Sequence, residues 1–151
     1  MHLLLVVLGT LGLDQITKYA VAQNMQVGQS IPIIPHIFHL TFVKNVGAAF
    51  GILANRVPFF ILVGIGAAIF IIVFYHKLKP EYKLVRFALS LVLGGALGNL
   101  IDRVRLGYVI DFFDFRLWPV FNIADCAVVI GMSLLIWEIL RNPELGKELG
   151  E

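Results

Sequence analysis

Charge is scarce in this chain. Of its 151 residues only 15% are Asp, Glu, Lys or Arg, where a soluble domain carries about 25%. The net charge is a mere +2 and no basic stripe is present, so nothing suggests a nucleic-acid partner. Cysteine is nearly absent too. The lone Cys126 excludes any disulfide within the chain and reads as a small apolar helix residue. No CxxC or HExxH pattern occurs, and the four histidines lack metal-ligand spacing, so no metal or other cofactor is expected. What is plentiful is hydrocarbon: 59% of the residues are hydrophobic and the mean hydropathy is +0.88. Such a composition places most of the chain in lipid, as a single membrane domain over 1–151.

A helical span takes about 20 mostly apolar residues. Four stretches qualify: 2–22, 57–75, 84–103 and 122–140. Pro58 near the start of the second and Pro119 just ahead of the fourth suit helix beginnings. The first stretch has the look of a signal-peptide core. It lacks a basic region beyond His2 and a small-residue cleavage site, and its helical pattern runs on through Asp14-Gln15-Ile16-Thr17-Lys18, so it reads as a retained span. Two long connections remain, 23–56 and 104–121. The β-branched and aromatic run 31–43 reads as strand; 107–115 reads as strand or a short amphipathic piece. Both are too apolar for free solvent loops. The expected fold is an α-helical membrane protein of four transmembrane helices with a small sheet or platform at one membrane surface. The tail 142–151 is short and charged, and no role is assigned to it.

Four spans put both termini on one side, and the polar residues then converge. Asp14 and Lys18 lie toward the end of the first span. Asn99, Asp102 and Arg103 end the third, and Asn122 and Asp125 begin the fourth. All fall at the end opposite the termini, beside Asp111 and Asp114 in the second connection. A charged side chain at mid-membrane costs about 2.5–3.5 kcal/mol on insertion scales, so such residues face a polar interior and mark function. Spacing agrees: Asp14 and Lys18 are four apart, as are Asn99 and Arg103, and each pair shares a helix face. Gly94, Gly95 and Gly98 would let a neighbouring helix approach the third span closely. Cations divide evenly between the two sides, but four of them crowd into 77–86, which favours the side of the termini as cytoplasmic.

Two carboxylates in a low-dielectric site share a proton. One then serves as general base toward water and the other as general acid toward a leaving amine. The amides of Asn45, Asn99 and Asn122 would hold a substrate backbone or a developing oxyanion. Lys18 and Arg103 would orient or neutralise the remaining carboxylates. Spacing does not select which two of the five aspartates form such a pair. No serine stands with a Lys or His in the cluster, which disfavours serine catalysis. A plain ion pair is the simplest reading of Asp14–Lys18 or Asp102–Arg103. A carboxylate-lined transporter or proton path is the competing functional class. The dryness of the other ends of the spans argues against a through-path.

Five blocks carry a family resemblance. They are Asp14-Gln15-Ile16-Thr17-Lys18, Asn45-Val46-Gly47-Ala48-Ala49-Phe50, Gly98-Asn99-Leu100-Ile101-Asp102-Arg103, Val109-Ile110-Asp111-Phe112-Phe113-Asp114 and Phe121-Asn122-Ile123-Ala124-Asp125. In this order they resemble the bacterial lipoprotein signal peptidase (signal peptidase II) family. The resemblance implies an intramembrane aspartic endopeptidase that cleaves prolipoproteins just before the diacylglyceryl-modified cysteine. It implies Asp111 and Asp125 as the catalytic pair, and Asn45, Asn99, Arg103 and Asn122 along the substrate site. Asp14, Lys18 and Asp102 would support that site. It further implies a multi-pass protein of the bacterial cytoplasmic membrane, with both termini cytoplasmic and the active site near the extracytoplasmic face. Membrane lipid would be a partner and a monomer would suffice. The first connection would form an extracytoplasmic β-cradle and the second a mobile flap.

Overall fold

The computed structural model describes residues 3–47 and 56–142. Ala48, Ala49 and Phe50 of the second motif block, His2, and the tail beyond Asn142 lie outside the described residues. The order of elements is α1 (Leu3–Asn24), β1 (Ser30–Ile34), β2 (Phe38–Asn45), α2 (Val57–Lys77), α3 (Lys83–Leu106), β3 (Val109–Asp114) and α4 (Ile123–Arg141). Each of the four helices is long and apolar enough to cross a membrane. Leu8, Leu62, Phe70, Val129 and Trp137 are among many large apolar residues left exposed along them, as lipid-facing surfaces require.

The helices form where expected, with longer ends. Pro58 occupies the first turn of α2. Helix α3 runs a turn past Arg103 and stops at Gly107, whose φ of 79° is the left-handed conformation that ends helices. Helix α3 is the hub: α1, α2 and α4 all pack on it. Its glycines explain how. A Cβ on Gly94 would sit 2.8 Å from Thr10 Cβ on α1, and one on Gly98 would sit 2.5 Å from Asp14 Oδ2. A Cβ on Gly95 would collide with the backbone oxygen of Ala124 on α4. A Cβ on Gly131 of α4, which the sequence reading passed over, would likewise sit 2.7 Å from Ala88 O. Gly95→Ala is therefore expected to cost about 1–3 kcal/mol, because backbone rather than a flexible side chain must yield. Gly12→Ala, with open space around it, should be neutral or stabilising. Thermal unfolding in detergent separates the two.

The three strands form one antiparallel sheet in the order β1-β2-β3. Bulges interrupt both ladders, between Pro32 and Ile34 and between Leu40 and Val43. Phe42, Ile110 and Phe112 pack against Val21 near the end of α1, so the sheet caps the bundle end where α1 and α3 finish and α4 begins. Strand β3 is the buried one and β1 the exposed edge. The second connection thus supplies a strand of the platform. The flap that the resemblance placed in this connection does not coincide with 109–114, which ladder hydrogen bonds hold to β2. An irregular stretch, 115–120, follows it.

Candidate active site

Helix α4 begins on Asn122, whose side chain accepts from Asp125 N at 2.9 Å while Asp125 Oδ2 accepts from Asn122 N at 3.1 Å. This reciprocal cap satisfies two donors of the first turn. It also fixes the Asp125 carboxylate at the helix start, with Oδ1 free to accept from Asn99 Nδ2 at 2.8 Å. Asp111 sits on β3. Its Oδ1 accepts from Asn122 Nδ2 at 2.7 Å and its Oδ2 from Asn45 Nδ2 at 2.9 Å. A second bond from Asn122 Nδ2, to Asn99 Oδ1 at 3.1 Å, joins the two carboxylate nests.

Asn45, Asn99, Arg103, Asp111 and Asp125 line one cavity of about 310 Å³, walled also by Trp118, Pro119, Val120 and Phe121. Arg103 enters it over the ring of Phe60 on α2, 5.0 Å from the centroid, and among the described residues donates at 3.5 Å to the carbonyls of Asn99 and Gly47. Burial pushes the Asp111 carboxyl up to about 7, and the nearby charge of Asp125 adds to the rise against the pull of the Asn45 and Asn122 amides.

Behind the cavity lies a buried ionic knot. Lys18 Nζ is 2.9 Å from Asp14 Oδ2, 3.0 Å from Asp102 Oδ2 and 2.9 Å from Asn99 Oδ1. Asp14 Oδ1 accepts from Ala124 N at 2.9 Å, in the first turn of α4. Asp102 Oδ2 accepts from Ile110 N at 3.1 Å, beside Asp111. One lysine thereby ties α1 and α3 to the two elements that carry Asp111 and Asp125.

Several expectations are refined. The Asp14–Lys18 pair forms as spaced, but Asp102 pairs with Lys18 and not with Arg103. Asn122 does not line the cavity; it is wholly buried and holds the carboxylates from beneath. Asp114 stands apart, bound to Thr41 and Arg116. Gln15 was missed as a site residue. Its amide donates to Asp14, Asp102 and the Gly98 carbonyl, and its signal was a polar amide beside Asp14 in an apolar helix. A larger cavity of about 480 Å³ opens on the other flank of the knot, lined by Gln15, Tyr19 and Arg105, but holds neither Asp111 nor Asp125. Size alone would choose it; Asp111 and Asp125 both line the smaller one.

Four membrane-length helices under a three-stranded sheet, with two amide-held carboxylates opening on one cavity, describe a multi-pass membrane protein built for carboxylate chemistry. The chain belongs to the signal peptidase II family: the profile described as Signal peptidase (SPase) II matches residues 6–141. The lipoprotein signal peptidase of Moorella thermoacetica is 51% identical over 140 residues, covering 93% of each chain. That of Halothermothrix orenii is 49% identical, covering 94% of this chain and 97% of its own. A bacterial membrane enzyme structure determined in meso at 2.3 Å superposes with a TM-score of 0.88 at 38% identity, covering 93% of this chain and 88% of that one. Another at 1.9 Å gives a TM-score of 0.85 at 38% identity, covering 93% of each.

Proposed function

We propose that this protein removes the signal peptide from prolipoproteins, hydrolysing the bond just before the diacylglyceryl-modified cysteine with Asp111 and Asp125 as its catalytic pair. The observation that carries the reading is the shared cavity, which both carboxylates line while the amides of Asn45, Asn99 and Asn122 hold them in place. One carboxylate takes a proton from water as the water oxygen attacks the scissile carbonyl. The other gives its proton to the amine nitrogen as the C–N bond breaks, so the pair holds one proton afterwards, as it did before. Arg103 and the amides of Asn45 and Asn99 position the peptide and offset charge on its carbonyl oxygen. The diacylglyceryl group arrives laterally from the bilayer, so a cavity at the end of the bundle meets both lipid and water. Both termini then face the cytoplasm and the sheet lies on the extracytoplasmic side of the cell membrane. A monomer contains every group the chemistry needs.

The test is cleavage of a synthetic diacylglyceryl lipobox peptide by purified protein in nanodiscs with chelator present. No product from well-folded protein, together with proton flux across vesicles, would replace the peptidase with the path reading. The pair must hold one proton to work. With Asp111 titrating near 7, kcat/KM is expected to fall about tenfold per pH unit above that value. Stability has the same sign. The folded state keeps a proton that the unfolded chain gives up near 3.8. The contribution of Asp111 is therefore full below that pH, declines as pH rises to about 7, and levels beyond it.

A further inference from the structure

Arg103 brings a positive charge to the cavity that Asp111 and Asp125 share. An arginine near the end of a span has other places to go. Its long stem lets the guanidinium turn outward to the headgroup boundary and its water. Among the described residues no carboxylate forms a salt bridge with it, and Asp102, its neighbour in sequence, is taken by Lys18. Its donations to the carbonyls of Asn99 and Gly47, at 3.5 Å, are beyond the usual hydrogen-bond range. The ring of Phe60 is the better restraint: the guanidinium carbon lies 5.0 Å from its centroid, inside the reach of a cation–π contact. Arg86, at the other end of α3, also lies over a ring, that of Tyr75 at 4.1 Å, but it donates to the Leu78 carbonyl at 2.8 Å as well. There a carbonyl fixes the cation; at Arg103 the ring does.

Helix α2 delivers that ring by packing closely on α3. A Cβ added to Gly64 would lie 3.3 Å from Leu100 Cδ1. Phe60 is one turn before Gly64 and Arg103 one turn after Leu100, so one seam of this antiparallel pair carries both. Phe60 is half-buried there, whereas Phe59 beside it is 50% exposed on the outer surface. A ring face also holds an arginine differently from a carboxylate. It attracts the charge without neutralising it. It leaves the N–H donors, which lie in the guanidinium plane, open to another partner.

We propose that Phe60 is a positioning residue for the peptidase reaction: its ring face holds the Arg103 guanidinium at the cavity, charged and with its donors open to the substrate backbone. The inference rests on the reading of this cavity as the peptidase site, with Arg103 placing the peptide. It gives a part in the reaction to α2, which among the described residues lends no side chain to the cavity wall. A guanidinium placed in advance spares the substrate the cost of ordering it. Without the ring the cation turns outward, each peptide must recapture it, and the loss shows in KM more than in kcat.

The experiment places phenylalanine analogues with one, two or three ring fluorines at position 60 of the full-length protein. Cleavage of a diacylglyceryl lipobox peptide is then followed in nanodiscs. Fluorine withdraws charge from the ring face at nearly constant size, so it weakens the hold on a cation and leaves the packing in place. KM is expected to rise with each fluorine, reaching about fivefold or more with three, while kcat changes less and the melting temperature stays put. Phe60→Leu should raise KM to a similar extent, and Phe60→Trp, with the strongest ring for cations, should keep it near the starting value. In an Arg103→Gln background the fluorine series should be flat. A flat series with Arg103 present would overturn the proposal. So would a slope that persists without Arg103, since the ring would then act on the substrate directly. No cleavage by the well-folded unmodified protein is a different result: it would remove the peptidase reading, and this inference with it.

Discussion

Asp111→Asn and Asp125→Asn should each abolish cleavage of a lipidated peptide, lowering kcat by at least about a thousandfold, the range set by losing a proton-transfer group. Combining them should cost little more than either alone, because groups that act as a unit do not add. Neither change is silent for the fold. Asp111 accepts from Asn45 at one oxygen and Asn122 at the other, so an amide at 111 confronts one of those donors with its own NH₂. An amide at 125 disturbs either the reciprocal cap of α4 or the bond from Asn99. Each should lower stability by about 1–2 kcal/mol, well short of unfolding. A melting curve must accompany each assay. Asp114→Asn is the control: its carboxylate lies outside the cavity and should leave cleavage far less affected. Equal loss with Asp114→Asn in folded protein would mean that a different aspartate completes the pair.

Lys18→Met should cost more stability than any other single change considered, about 3–5 kcal/mol. Removing one partner of a buried ion pair leaves its counter-charges uncompensated. Here one removal strands two carboxylates, Asp14 and Asp102, at 0% and 3% exposure. They also hold Ala124 N and Ile110 N, so the damage travels to the turns that carry Asp125 and Asp111. Adding Asp14→Asn to Lys18→Met should recover part of the loss, which a merely steric effect of methionine would not allow. Chemical denaturation of the single and double variants decides between the two.

The spans were readable because hydropathy over twenty residues depends on composition and not on tertiary detail. Convergence of Asp14, Asp102 and Asp125 was readable for a related reason: an even number of crossings forces their helix ends together. Which carboxylates face each other was not, since that depends on Asn122 reaching Asp111 across a strand–helix junction that no spacing rule encodes. The partner of Asp102 was missed because neighbours in sequence, Asp102 and Arg103, point in different directions around a helix, whereas Lys18 arrives from another one. Gly94, Gly95 and Gly98 announced a close helix approach; Gly131, alone among apolar residues, announced nothing.

The hub position of α3 bears on how the protein is made. Helix α2 reaches the bundle through α3, and α1 and α2 make few direct backbone approaches to one another. Synthesis delivers them first, so for a time two spans share the bilayer without a partner. Helix α1 must then carry a carboxylate and an ammonium into lipid long before Asn99 and Asp102 emerge. Their placement on adjacent turns, 2.9 Å apart, lets each neutralise the other during that interval. The pair that later braces the interior thus also lowers the cost of inserting the first span, and a variant that separates these charges is expected to insert less efficiently.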